Sequence, residues 1–116
     1  MLRDRAVAIA RRAQREHAER IVPMPVLAEV YRGDASDARI DRLFTSGVRR
    51  PGLDLRTVRL AGRLRARARV GSAVDAIVVA TAVRLGGAVV ATGDPDDLRR
   101  LAADSPNVVI WSLNDR

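Results

Sequence analysis

An α/β domain built on a parallel sheet is the fold class this sequence predicts. Two observations carry it. From residue 70 onward, apolar patterning alternates between helical and strand-like runs: helix at 73–85, strand at 88–91, helix at 95–103, strand at 108–113. Such alternation argues for parallel strands joined by crossover helices. The second observation is the stretch AVVATGDPDDL, residues 88–98. It reads as a strand, a loop and a helix opened by Pro95, with a carboxylate, Asp94, at the strand's carboxyl end. In open α/β sheets that end is where ligands and reacting groups gather.

The chain's 116 residues suffice for one domain, 1–116, and nearly half of them are hydrophobic, so a core is within reach. With only Tyr31, Phe44 and Trp111 as aromatics, that core is aliphatic. No apolar run approaches the roughly 18–20 residues of a membrane span. The opening MLRDRAVAIARR has no continuous apolar signal region. Cysteine is absent, which excludes disulfides and thiolate metal sites. A cytoplasmic location without a membrane is the expectation. The formal charge is +7 and every basic residue is arginine. Arginine binds phosphate in a planar fork, so nucleic acid is one reading of this charge and a solvated surface the other.

The elements follow in order. Residues 2–19 read as an amphipathic helix with Leu2, Ala6, Ile9, Ala13 and His17 on its apolar side. The single histidine, His17, has no companion pattern and is read as packing or surface. Ile21 and Val22 suit a short strand. Pro25 suits the first turn of a helix over 26–31, with Val26, Leu27 and Val30 inward and Gly33 as its stop. Glu29 lies among these apolar residues, where an unpaired charge is costly, so it faces either a cleft or a cation. A helix over 34–44 buries Ala38, Ile40, Leu43 and Phe44 and ends at Gly47. Residues 48–53 form at best a short edge strand or turn.

Asp54 is placed to cap a helix from Leu55 to Ala68, with Val58, Ala61, Leu64 and Ala68 buried. Arg56, Arg63 and Arg67 line another face, either solvated or in contact with phosphate. The helix over 73–85 is apolar almost all round, so it is a buried one. Asp75 sits in its first turn, where the helix dipole accounts for it as well as a site role does. Asp96 and Asp97 open the next helix and read as caps or dipole partners.

Glu29, Asp75 and Asp94 share one property: solvent alone explains each poorly. Three acids brought together repel one another unless a cation holds them. Oxygen ligands without His or Cys suit Mg²⁺ or Mn²⁺, and such a centre beside basic residues points to metal-assisted phosphodiester cleavage.

Three stretches, VPMPVLAEVYRG (22–33), SAVDAIVVA (72–80) and AVVATGDPDDL (88–98), together resemble the successive motifs of PIN-domain proteins, and among these the VapC-type toxins of toxin–antitoxin pairs. The resemblance runs over the whole chain in the family's order. It implies a PIN-like three-layer α/β/α fold and a Mg²⁺- or Mn²⁺-dependent endoribonuclease acting on RNA. It also implies homodimers and inhibition by a cognate antitoxin. The family's acids fall on Glu29, Asp75 and Asp94, and Asp97 matches a less regular additional acid. One departure stands out. PIN domains open with a strand bearing an Asp, and here Met1 begins where the following helix is expected. Asp4 lies on a charged helix face and does not replace that acid. The resemblance thus implies an N-terminally truncated domain, short by about twenty residues on ordinary element lengths. A start farther upstream, a partner strand filling the gap, or a catalytically dead remnant that acts only as a binding partner would each account for it.

Overall fold

The computed structural model describes residues 7, 8, 11, 12, 15, 19–44 and 48–112. They fall into two units, Met1–Gly52 and Leu53–Arg116, each with its own hydrophobic cluster.

In the first unit, residues 7–8, 11–12 and 15 are helical, and Val7 is buried while its described neighbours are exposed. Glu19, predicted as the end of a helix over 2–19, is exposed and not helical; the rest of that predicted helix, with Asp4 and His17, lies outside the described residues, as does Gly47. The strand expected at 21–22 is a single parallel bridge between Ile21 and Arg49. The Val22 N–H donates to the Arg49 carbonyl and the Arg49 N–H to the Arg20 carbonyl, both at 2.9 Å.

Helix α1 spans Met24–Val30, with Pro25 in its first turn, where no N–H is required. It starts two residues earlier than the sequence pattern suggests, and Tyr31 in extended conformation ends it before Gly33. Leu27 and Val30 are buried and Glu29 is exposed. Glu29 therefore lies off the apolar stripe, and water solvates the charge that looked costly in the sequence.

Helix α2 spans Asp37–Phe44. It begins three residues later than predicted because Asp34 forms a local turn, its carboxylate accepting from the Ser36 N–H at 2.9 Å. Turn-forming carboxylates compete with helix in this way. The Asp37 carboxylate accepts from the N–H groups of Arg32 and Gly33, at 2.9 and 2.8 Å. Ile40 and Leu43 enter the core with Val7, Val22, Leu27 and Val30. Ala38, expected inside, is exposed.

The second unit begins with α3, Leu55–Ala68, over the range the sequence predicts. The Asp54 carboxylate accepts from the Thr57 N–H at 2.8 Å and caps it. Its buried face is Thr57, Ala61 and Leu64. Val58 is 42 % exposed rather than buried, because the inward stripe is set one position earlier, through Thr57. Helix α4, Ala73–Arg84, buries Ala76 and the run from Val79 to Ala82. Gly86 and Gly87 turn the chain into β1, Ala88–Thr92. A side chain at Gly87 would meet the Asn107 carbonyl at 2.6 Å, and the Ala88 N–H donates to that same carbonyl at 3.1 Å. Helix α5, Pro95–Leu101, then leads to β2, Val108–Ser112.

β1 and β2 pair in parallel, Ala88 opposite Val108 through Thr92 opposite Ser112. Val90 and Val108 meet Ala61, Leu64, Val79, Leu98 and Leu101 in the core. On the other face Val89 is 65 % and Val109 54 % exposed. β1 is thus buried on one face only. The class is α/β with a parallel sheet, as the alternation of patterns predicts. No helix among the described residues is long and apolar enough to cross a membrane.

Candidate active site

The second unit brings two of the three predicted acids to one end. Helix α4 is 12 residues and β1 is 5, and the two pack together. At 1.5 Å per helical and about 3.3 Å per strand residue, each runs roughly 17 Å, one out and one back. The first turn of α4 and the carboxyl end of β1 therefore share a side of the unit, and Asp75 and Asp94 lie there.

Their local chemistry differs. Asp75 closes a capping box: its N–H donates to the Ser72 hydroxyl at 3.1 Å, and its carboxylate accepts from the Ser72 N–H at 3.4 Å. Two otherwise orphaned donors at the helix start are satisfied this way. The dipole reading of Asp75 thus gains a hydrogen-bonded form, and the residue is half-buried.

Asp94 occupies the N-cap position of α5 yet makes no side-chain cap bond. Its N–H donates to the Thr92 hydroxyl at 3.0 Å, which fixes the backbone, while the residue is exposed. An aspartate at an N-cap ordinarily spends its oxygens on the first-turn N–H groups. Here those oxygens are uncommitted among the described residues. Asp97, in the first turn of α5, is half-buried and Asp96 exposed.

Glu29 belongs to the first unit, on α1. Within neither unit do the described residues bring three Asp, Glu, His or Cys side chains together as a metal cage. The donor set available is carboxylate oxygen throughout, the chemistry that suits Mg²⁺ or Mn²⁺.

Two other carboxylates have clear structural work. Asp54 is held below the ordinary carboxylate value, first by the Thr57 backbone N–H and then by the Thr57 hydroxyl, with smaller help from Arg84 and Arg56. The Tyr31 hydroxyl donates to Asp41, and that bond, ahead of burial and the Asp41 charge, raises the phenol above its usual value.

Of the predicted basic face, Arg56 and Arg63 are exposed, whereas Arg67 pairs with Asp104 at 2.7 Å. Sequence reasoning passed over Arg65 and Arg69. Both line an open hollow of about 430 Å³ with Gly62, Ala66, Val70 and Gly71. The readable signal was an arginine pair four residues apart running into Gly71, one residue ahead of the capping serine.

The family model of the PIN domain matches residues 1–104. The chain belongs to the PIN domain family. That single match spans both units of the PIN chain, and it includes Glu29, Asp75, Asp94 and Asp97. PIN domains as a class are nucleases, typically dependent on a divalent metal, acting on nucleic acid and often paired with antitoxins. Comparison with curated proteins and with solved structures finds no match.

Proposed function

We propose that this PIN domain protein is a metal-dependent endoribonuclease and the toxin half of a toxin–antitoxin pair. In this reading it is one domain over 1–116 that works in the cytoplasm as a homodimer and is inhibited by a cognate antitoxin. Glu29, Asp75 and Asp94 hold Mg²⁺ or Mn²⁺, and Asp97 is an additional acid. The bound cation supplies the Lewis acid that phosphodiester hydrolysis requires. Asp94 keeps both oxygens available to it because the cap position is left unused. Asp75 is oriented by Ser72, which fixes the carboxylate before any ligand arrives.

The observation that carries this reading is the uncommitted Asp94 carboxylate at the carboxyl end of β1, where ligand sites of parallel sheets form. The test is cleavage of single-stranded RNA with and without Mg²⁺ or Mn²⁺. Asp94→Asn abolishes metal-dependent cleavage, and chelation of the metal does the same to the parent chain. Undiminished cleavage by Asp94→Asn overturns the assignment. Antitoxin binding without any cleavage by the parent chain replaces it with the binding-only reading.

A further inference from the structure

We propose that Arg65 and Arg69 clamp a backbone phosphate of the bound RNA strand in the hollow beside the start of α4. The inference rests on the nuclease reading above and assigns the binding step to a specific pair of arginines.

Arg69 is the C-cap of α3, with φ of 59°. It is the only non-glycine residue at positive φ among the described residues. Glycine fills such positions at no steric cost, so a side chain is retained there against its conformational preference. Strain kept at one residue is a reason to ask what its side chain does. That side chain lines the hollow with Arg65.

Arg65 donates from Nε to the Gly71 carbonyl at 3.3 Å. This uses one of five guanidinium donors and leaves the Nη pairs for another acceptor. Neither arginine meets a carboxylate within ion-pair distance among the described residues. Arg67, between them in sequence, is neutralised by Asp104. Helix α3 carries five arginines and no acid, a charge balance that favours an anion beside it.

The lining also says which part of a nucleotide is held. Gly62 and Ala66 are small, and a side chain built at Gly62 would meet nothing within 4 Å, which leaves room beside the helix backbone. No aromatic lines the hollow, so it offers no stacking platform for a base. Two planar forks suit a phosphate. The clamp therefore grips the backbone and is independent of base. Gly71 directly precedes Ser72, the cap to which Asp75 is bonded. A strand anchored here runs past an acid proposed to hold the metal.

The test measures binding apart from cleavage. Affinity for a fluorescent 12-nucleotide single-stranded RNA is followed by anisotropy in chelator, across salt concentrations, with folding checked by circular dichroism. Arg65→Gln with Arg69→Gln weakens binding at least tenfold at low salt, and the slope of log K against log salt shrinks by about 0.7 for each phosphate the protein no longer neutralises. Arg56→Gln with Arg63→Gln removes the same charge from the same helix and weakens binding less than threefold. Arg65→Lys with Arg69→Lys keeps most of the slope.

Equal losses from the two glutamine pairs overturn the clamp in favour of a general positive field. Inorganic phosphate bound at this pair, with RNA affinity unchanged in the variant, overturns it in favour of a free-anion site. If Asp94→Asn abolishes cleavage while the Arg65/Arg69 variant binds RNA normally, the clamp fails and the nuclease stands. If the parent chain binds no RNA, both fail.

Discussion

Arg69 holds a backbone conformation that glycine reaches at lower cost, and this gives a prediction separable from its charge. Arg69→Gly raises stability by about 0.5–1 kcal/mol, read from urea unfolding, because the αL strain is relieved. A destabilised variant would mean that the arginine side chain contributes more than its backbone costs. Asp54 gives a second prediction at this scale. Its folded-state pKa is depressed, so its contribution is fully present above the ordinary aspartate value and disappears as pH falls through the folded one. Asparagine caps about as well as aspartate but does not titrate. The stability advantage of the parent over Asp54→Asn therefore shrinks as pH falls below the ordinary aspartate value; a difference that stays constant through that fall would refute it. Residue roles were unevenly legible. Asp54 reads as a cap from its place before an apolar periodicity. The capping role of Ser72 was readable in the spacing Ser-x-x-Asp ahead of an apolar run, and was passed over; the unused cap at Asp94 did not show, because it depends on a side-chain rotamer.

Element boundaries were most legible where two signals coincide. Helix α3 starts after a cap and stops where its apolar stripe runs out, and its predicted and observed ranges agree. Its inward face differs from the prediction by one position at Val58, since a stripe containing Thr57 competes with one containing Val58 until a neighbouring helix chooses between them. β1 poses a different difficulty. Its apolar run carries no alternation, so nothing in the sequence tells that Val90 is covered and Val89 is not. Substitution separates the two faces. Val90→Ala costs about 1–3 kcal/mol in equilibrium unfolding, and Val89→Thr stays within about 0.5 kcal/mol. Similar losses at both positions would mean a strand covered on both sides. Gly71 and Gly87 belong to this scale too. A side chain at Gly71 would meet Leu101 at 2.7 Å, and only the folded neighbours reveal that constraint.

For the molecule as a whole, the order of motifs was the strongest signal. Glu29, Asp75 and Asp94 stand far apart in the chain, and one family model contains them all. Three-dimensional relations were the weakest signal, because each acid's surroundings come from a different element: α1 for Glu29, the cap of α4 for Asp75, the end of β1 for Asp94. The same holds for the surface. An all-arginine charge of +7 says that a polyanion is attractive, but it took the fold to separate the paired Arg67 from Arg65 and Arg69. That charge also meets the bare valines of the sheet, Val89 beside Val109. Attraction between apolar surfaces weakens on cooling, and repulsion between like-charged molecules fades once added salt shortens its range to about 10 Å at 0.1 M. Warm, salty buffer thus moves both terms toward clumping, while cold, dilute buffer moves both toward dispersion.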